Sequence, residues 1–441
     1  MGVRRLAVEF DRPTAAYMPG EMVVGRVCAE FSAPKKIRGL KLIVRGEARV
    51  QWSAKKERSD GRGHYHYETL SADEAYFAST FYIIGSESGH TIELPVGELV
   101  YPFNIQLPLH LPGSFEHEHG HIRYTIKAVF DRPWKFDHEI KVAFTVVAPY
   151  DLNRMPEASL AIRRTMDTTF CCCCFCMGSL DATVMIPSSG YAPGQYIVAT
   201  VQCENTSSVK IEKIKVSLRQ QVKLHASVPH WKTKTDERIV AEQICRTPFD
   251  NNTEDFVVIS LKVPPVAASA LEYCSIIDLD YVVRVVICFD GMHCSIDRRL
   301  PVLIGTVPLY GSYANTNPMD SIVVESAPSA PVFPPQPSIG MPQPATFPVQ
   351  GGFAQPGNSL PMPPAPAGFT FGNPPYPTGD GSNLPPPSYE EAIYAARSIR
   401  DKEESDHVEG VQIPFAPRYP VYNYVPPNLP GAPSAPTLEK R

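Results

Sequence analysis

Much of what would take this chain out of the cytosol or make it an enzyme is missing from its sequence. No uninterrupted apolar run approaches the ~18 residues needed to span a bilayer, and the opening MGVRRLAVEF lacks the apolar stretch of a secretion signal. Leu6 stands where a myristoylation site wants Ser or Thr, and the closing LEKR is no prenylation signal. A cytoplasmic protein is expected, with peripheral membrane contact made through partners. There is no phosphate-cradling glycine loop, no G-x-S-x-G elbow and no H-E-x-x-H helix, so neither catalysis nor a cofactor is expected. A formal charge of -5 on 441 residues creates no global field that would draw in nucleic acid. Long helical periodicity is absent as well.

What is present up to about residue 308 is a series of short β-type runs: LAVEF, MVVGRVCAEF, LKLIVRG, YPFNIQLPL, IRYTIKAVF and IKVAFTVV. They are rich in Val, Ile, Phe and Tyr and bounded by Gly, Pro, Asp or Asn, which predicts antiparallel sheets packed face to face. The sequence also repeats itself. Tyr17-Met-Pro-Gly20 returns as Tyr191-Ala-Pro-Gly194, and Ile37 to Trp52 returns as Ile211 to Ala226, both 174 residues on. Tyr124 to Asp131 is echoed from Tyr281, now about 157 residues on. The shorter offset predicts an insertion between Trp52 and Tyr101 in the first copy, where SAKKERSDGRGHYHYE reads as a mobile loop. In each copy the Pro-Gly pair suits a tight turn better than a ligand contact.

Two β-sandwiches are therefore expected at 1–150 and 178–308. Residues 151–177 form a linker and Cys-rich segment between them. Eleven cysteines is an odd number, and neighbours in sequence bridge poorly, so reduced thiols are expected. The run Cys171, Cys172, Cys173, Cys174 and Cys176 admits three readings: an apolar segment opening the second sandwich, a lipidated patch, or a metal site, the last lacking a second CxxC pair. His117, His119 and His121 alternate, so on a strand they would face one side; without a fourth ligand they read as solvated or locally hydrogen-bonded histidines.

The tail, 309–441, is a different polymer: 28 of the 46 prolines lie between Pro318 and Pro436. It is too poor in clustered hydrophobics to offset its ordering entropy, so disorder with transient polyproline II structure is expected. Within it Pro386-Pro387-Ser388-Tyr389 is a PPxY motif, whose spacing suits the two aromatic pockets of a WW domain. Ser388 and Glu391 make a capping box, predicting a short helix that carries Ile393, Ala395 and Ala396. Pro328-Ser329-Ala330-Pro331 and Pro433-Ser434-Ala435-Pro436 are PSAP strings of the kind bound by the UEV domain of ESCRT-I. Tyr422-Asn423-Tyr424-Val425 fits a tyrosine-based sorting signal, a pattern loose enough to arise by chance.

Several of these stretches resemble one family. Tyr17-Met-Pro-Gly20, Leu111 to Tyr124, Ala148-Pro-Tyr-Asp-Leu-Asn153, the cysteine cluster, Tyr191-Ala-Pro-Gly194 and the tail PPSY are similar to the α-arrestins, the arrestin-domain-containing proteins. The resemblance covers about the first 305 residues plus the tail motif. It implies an all-β fold of two tandem immunoglobulin-like arrestin sandwiches followed by a disordered proline-rich tail. It also implies binding to membrane receptors or transporters as cargo, and recruitment of WW-domain HECT E3 ubiquitin ligases through Pro386, Pro387 and Tyr389. Cargo would then be ubiquitinated and internalised at the plasma membrane and endosomes. Many family tails carry two PPxY motifs; here Pro374-Pro375-Tyr376 lacks the intervening residue. Rival expectations are an ESCRT-I-coupled vesicle-budding adaptor, a retromer-type structural sorting subunit, and a hydrolase or redox enzyme using the cysteines.

Overall fold

Side chains that alternate between apolar and polar bury one face of a strand, and that alternation builds almost every element here. In Tyr196–Asn205 it runs the whole length, with Ile197, Ala199, Val201 and Cys203 turned inward. The computed structural model describes residues 3–57, 65–172, 175–246, 253–311, 387–392, 396–401, 404–405 and 407–424. The PSAP strings, Pro386, Cys173, Cys174, Ile393, Ala395 and Val425 lie outside these, and the side chains of Cys171, Cys172 and Cys176 are likewise outside the description.

The first sandwich contains β1 (Val3–Phe10), β2 (Ala16–Tyr17), β3 (Met22–Phe31), β4 (Lys35–Ile37), β5 (Gly39–Glu57), β6 (Tyr65–Gly85), β7 (Ile92–Leu94), β8 (Gly97–Gln106), β9 (Phe115–Glu116), β10 (Gly120–Asp131) and β11 (His138–Val146). One sheet has the order β1-β3-β8 and the other β2-β11-β10-β5-β6. An aromatic core of Tyr17, Phe31, Tyr124, Phe130 and Phe144 fills the space between them.

The second sandwich contains β12 (Ile162–Cys172), β13 (Phe175–Ile186), β14 (Gly190–Tyr191), β15 (Tyr196–Asn205), β16 (Ile211–Ala226), β17 (Lys232–Cys245), β18 (Thr253–Lys262), β19 (Ile277–Phe289) and β20 (Ile296–Ile304). Its sheets run β12-β13-β15-β18 and β14-β20-β19-β16-β17. The duplication extends to register. Tyr124 lies opposite Gly46 and Tyr281 opposite Gln220, so the offsets of 157 and 174 meet in one cross-strand pair. Each tyrosine hydroxyl donates to a backbone carbonyl, Tyr124 to Pro112 at 2.6 Å and Tyr281 to Ala267 at 2.7 Å. Tyr17 and Tyr191 occupy equivalent short strands, each running parallel to the last strand of its sandwich.

The structure corrects or refines several of these expectations. The polar stretch after Trp52 is not all loop: Ser53–Glu57 pair with Tyr65–Thr69, so part of the insertion is extra hairpin length. The linker is shorter than 151–177, because Ile162–Cys172 and the start of Phe175–Ile186 are strands that open the second sandwich, as one of the three readings of the cysteine run has it. Cys171 lies opposite Cys176 and Cys172 opposite Phe175 at the end of the β12–β13 hairpin. Before it, Tyr150 and Leu152 are buried, and Asp151 bridges to Val307 beside the last strand of the second sandwich. The three histidines do not meet the condition for sharing a strand face, because residues 117–119 form the tight connection between β9 and β10. His117 is locally hydrogen-bonded to the His119 amide, in line with the reading preferred from the sequence. Finally, the tail contains ordered strands where it is described. Residues 387–424 contain β21 (Ser388–Glu391), β22 (Arg397–Ser398), β23 (Val408–Glu409), β24 (Pro414–Phe415) and β25 (Arg418–Val421). The start of the predicted capping-box helix is a strand instead: Ser388 Oγ donates to the Val421 carbonyl, and β21 pairs antiparallel with β25, while Ile393 and Ala395 lie outside the described residues.

Candidate functional site: the tail strap over both sandwiches

The tail strands are too short to be stable alone, so their placement depends on what they touch. β23 adds in parallel to the outer edge of β11, Val408 beside Glu139 and Glu409 beside Ile140. Ile399, Val408 and Val411 bury together against Ala143 and Phe415. Lys141, on β11, reaches from beneath: its ammonium donates to the Ile399 carbonyl at 3.1 Å and pairs with Asp401 at 2.6 Å and Glu404 at 3.2 Å. Lys127 also approaches Glu404 at 3.4 Å. A lysine that the strap covers thus keeps its charge compensated while it is covered.

Farther along, Arg418 fastens β25 to the first sandwich. Its amide donates to Thr145 Oγ1 at 3.0 Å, its guanidinium to the Pro13 carbonyl at 3.0 Å, and it pairs with Glu391 of β21 at 3.0 Å. The Tyr419 ring enters the main core, where its hydroxyl donates to the Ser114 carbonyl at 2.9 Å. Tyr422 then crosses to the second sandwich: its hydroxyl donates to the Thr306 carbonyl at 2.8 Å and its amide to Pro193 at 3.0 Å. The strap therefore ties the two sandwiches together.

Here the Tyr-x-Pro-Gly turns prove to be more than turns. Gly20 and Gly194 both have positive φ, +81° and +94°, as expected of the Pro-Gly pair. At Gly194, however, a Cβ would come within 1.9 Å of the Tyr422 carbonyl oxygen, so the absent side chain is also what lets the tail backbone approach. The four-residue pattern at 422–425 fares differently from its sequence reading. Tyr422 is buried, which leaves no accessible ring for a sorting receptor in this arrangement.

Within the strap lies the Pro-Pro-Ser-Tyr motif, of which Pro387, Ser388 and Tyr389 are described. Pro387 and Tyr389 are half-buried and Ser388 is exposed; Tyr389 sits opposite Pro420 in the β21–β25 ladder. A PPxY peptide read by a WW domain is polyproline II with the tyrosine in its own pocket, so a tyrosine held in the β21–β25 ladder would have to leave it to be read in that way.

Below β25, polar groups meet at the boundary between sandwiches. Arg123 and Glu116 form a bidentate, fully buried pair, one branch at 2.8 Å; burial raises the Glu116 carboxyl, while Arg123 pulls it back down. His117 Nδ1 accepts from the His119 amide at 3.3 Å, so Nε2 carries the proton and faces Asp236 of β17 at 3.4 Å. Burial pushes the His117 imidazole down to about 4, against the pull of Asp236. Its folded value lies below its unfolded value of 6.5, so the unfolded chain takes up the proton first. Stability is then complete above that unfolded value and falls as the pH drops toward the folded one. For this residue the loss between neutral pH and about 4.5 should be roughly 2 to 3 kcal/mol. Urea melts at the two pH values check it: His117→Gln should lose measurably less on acidification than the parent chain.

No group of three or more His, Cys, Asp or Glu side chains able to hold a metal occurs among the described residues. No described helix is long and apolar enough to cross a membrane. Sequence reasoning missed Lys141, Arg418 and Tyr419, and read Tyr422 as part of a sorting signal rather than as an anchor. The one signal available for them was RYPVYNY, a cluster of large side chains in a stretch otherwise dominated by Pro, Ala, Gly and Ser.

The comparisons agree with the geometry. Residues 6–153 match the family profile "Arrestin (or S-antigen), N-terminal domain", and residues 176–309 match the corresponding C-terminal domain. The chain is similar to arrestin domain-containing protein 17 of Caenorhabditis elegans, at 29% identity over 69% of this chain and 71% of that protein. It is also similar to arrestin domain-containing protein 4 of Mus musculus, at 30% identity over 70% of this chain and 73% of that protein. The human protein of the same name is 30% identical over 71% of this chain and 74% of its own length. With two tandem arrestin sandwiches, matched register by register, and these relatives, the chain belongs to the α-arrestins, the arrestin domain-containing proteins.

Proposed function

We propose that this chain is a non-enzymatic cargo adaptor. Its sandwiches engage the cytoplasmic part of a membrane receptor or transporter, and Pro386, Pro387 and Tyr389 bring a WW-domain HECT ubiquitin ligase to that cargo for ubiquitination, endocytosis and endosomal sorting. The observation that carries the proposal is the position of Tyr389: the ligase-reading tyrosine is stored in a strand on a strap whose other residues clamp both sandwiches. Binding events on the sandwiches and availability of the motif are then one equilibrium, since anything that lifts the strap also frees β21. The PSAP strings at Pro328–Pro331 and Pro433–Pro436 would add an ESCRT-I contact that acts after ubiquitination.

Titration of the full chain with a tandem WW module tests this. Tyr389→Ala should weaken binding by at least about tenfold from a micromolar-range affinity, and should abolish cargo ubiquitination in cells. If ubiquitination survives Tyr389→Ala but is lost in a Pro328→Ala, Pro433→Ala variant, the ligase-recruitment reading is wrong and vesicle budding through ESCRT-I takes its place.

A further inference from the structure

At the tip of the β10–β11 hairpin, remote in sequence from the tail motif, residues 132–137 read Arg-Pro-Trp-Lys-Phe-Asp. Trp134 is 102% exposed and Phe136 is 81% exposed. Apolar side chains of this size at a strand connection are ordinarily folded back onto the sandwich. Trp134 does the opposite, and does so with φ of +63°, a left-handed conformation that is strained for a bulky residue. The strained backbone holds a ring in water, so packing within the chain cannot be what the conformation serves.

The surroundings of that ring are cationic. Lys35, on the neighbouring β4, is crowded by Arg132 and Lys135, and burial followed by these like charges lowers its ammonium. His138 is held down to about 4 by burial and by the same Arg132 and Lys35, and so stays neutral. The Arg132 guanidinium is directed at the Phe136 carbonyl at 3.2 Å and at His138 Nε2 at 2.5 Å rather than at a carboxylate. The nearby acids are engaged elsewhere: Asp131 with Arg38 at 2.6 Å, Asp137 with the Arg132 amide at 2.8 Å, and Glu139 with Lys127 at 2.7 Å. Among the described residues Lys35, Arg132 and Lys135 form no ion pair. Arg132, Lys135 and the two exposed rings line a shallow cleft of about 850 Å³ together with Asp137 and His138, closed on one side by His407 of the tail, whose ring stands 5.3 Å from that of Phe136.

We infer that this hairpin tip is a membrane-contacting element, which seats Trp134 and Phe136 at the interfacial level of a bilayer and places Lys35, Arg132 and Lys135 against the phosphates of anionic phospholipids. Aromatic rings flanked by basic residues are the side chains that partition into the headgroup region. Each cation near an anionic surface strengthens partitioning by about fivefold. A bilayer fits better than a protein partner because the aromatic tip is convex. It needs an occupant that closes around a protruding ring from every side, which lipid does without a preformed pocket. The tip would give the adaptor a direct, weak hold on the membrane that carries its cargo, independent of the WW-binding motif.

The test is sedimentation of the full chain with vesicles of phosphatidylcholine alone and with about one third phosphatidylserine, together with tryptophan emission. The expected result is binding at least about tenfold stronger to the anionic vesicles, salt-sensitive and accompanied by a blue shift. Trp134→Ser with Phe136→Ser, and separately Lys35→Glu with Lys135→Glu, should each reduce it tenfold or more. Because Trp134 and Phe136 are exposed, the serine variant should melt with the parent chain, and the melt of the glutamate variant, which includes half-buried Lys35, is recorded beside it to separate lost binding from lost folding. Equal binding to the two vesicle types, or unchanged binding by either double variant, overturns the inference. So does full competition by water-soluble glycerophosphoserine, which would mark a site for a free anion, and so does Trp134-dependent capture of a protein without any vesicle binding.

Discussion

Replacing Tyr422 by alanine is expected to raise the affinity of the full chain for a WW module, although residue 422 lies thirty-three positions beyond Tyr389. Tyr422 is buried, bonded to Thr306 and Pro193 of the second sandwich, and anchors the end of the strand that pairs with the motif. Truncating a buried aromatic of this kind removes about 3 kcal/mol, here almost wholly from the closed strap. The apparent affinity of a motif that can be read only when open is its intrinsic affinity scaled by the open fraction. A closed state favoured by about 2 kcal/mol or more therefore leaves at least a tenfold gain to be released, with the isolated Leu384–Ile393 peptide setting the ceiling. Glu404→Gln, which removes one of the carboxylates on Lys141, should move affinity the same way by a smaller factor. Calorimetric titration against one WW preparation measures both. Unchanged affinity in Tyr422→Ala, with the sandwiches still folded, would mean that the strap does not restrain the motif.

The second large effect concerns the boundary between sandwiches. Arg123→Met should destabilise the chain by about 3 kcal/mol or more, because it leaves the Glu116 carboxylate buried without its bidentate partner. The companion Glu116→Leu, Arg123→Met chain should recover most of that loss, since two packed apolar side chains carry no desolvation penalty. Chemical denaturation of the three proteins checks the pair. A double variant as unstable as the single one would show that packing around residue 123, and not the stranded charge, dominates.

How much of this was legible in the sequence depends on the range of the forces involved. The duplicated sandwiches could be read because the period-two alternation and the repeat are written locally, and Tyr124 and Tyr281 mark equivalent registers in both copies. The turns at Gly20 and Gly194 were legible for the same reason, as the positive φ is a property of a few adjacent residues. The strap was not. Its strands are two to four residues long and include Pro414 and Pro420, so by composition they read like the rest of the proline-rich tail. Their order comes from Lys141, Thr145, Ser114, Pro193 and Thr306, partners more than a hundred residues away. Ser388 shows the competition directly: its local capping box favours a helix, but pairing with Val421 wins. The Glu116–Arg123 pair and the His117–Asp236 contact were equally hidden, since each depends on burial that only the assembled sandwiches create.

Hydrogen exchange on the full chain, with and without a saturating WW module, reaches the storage of the motif in the strap most directly. Peptides spanning 388–391 and 418–421 should be protected in the free chain, and should lose that protection together when the module binds, but not when it is added to Tyr389→Ala. Exchange at random-coil rates in the free chain, or protection that persists while the module is fully bound, would contradict it.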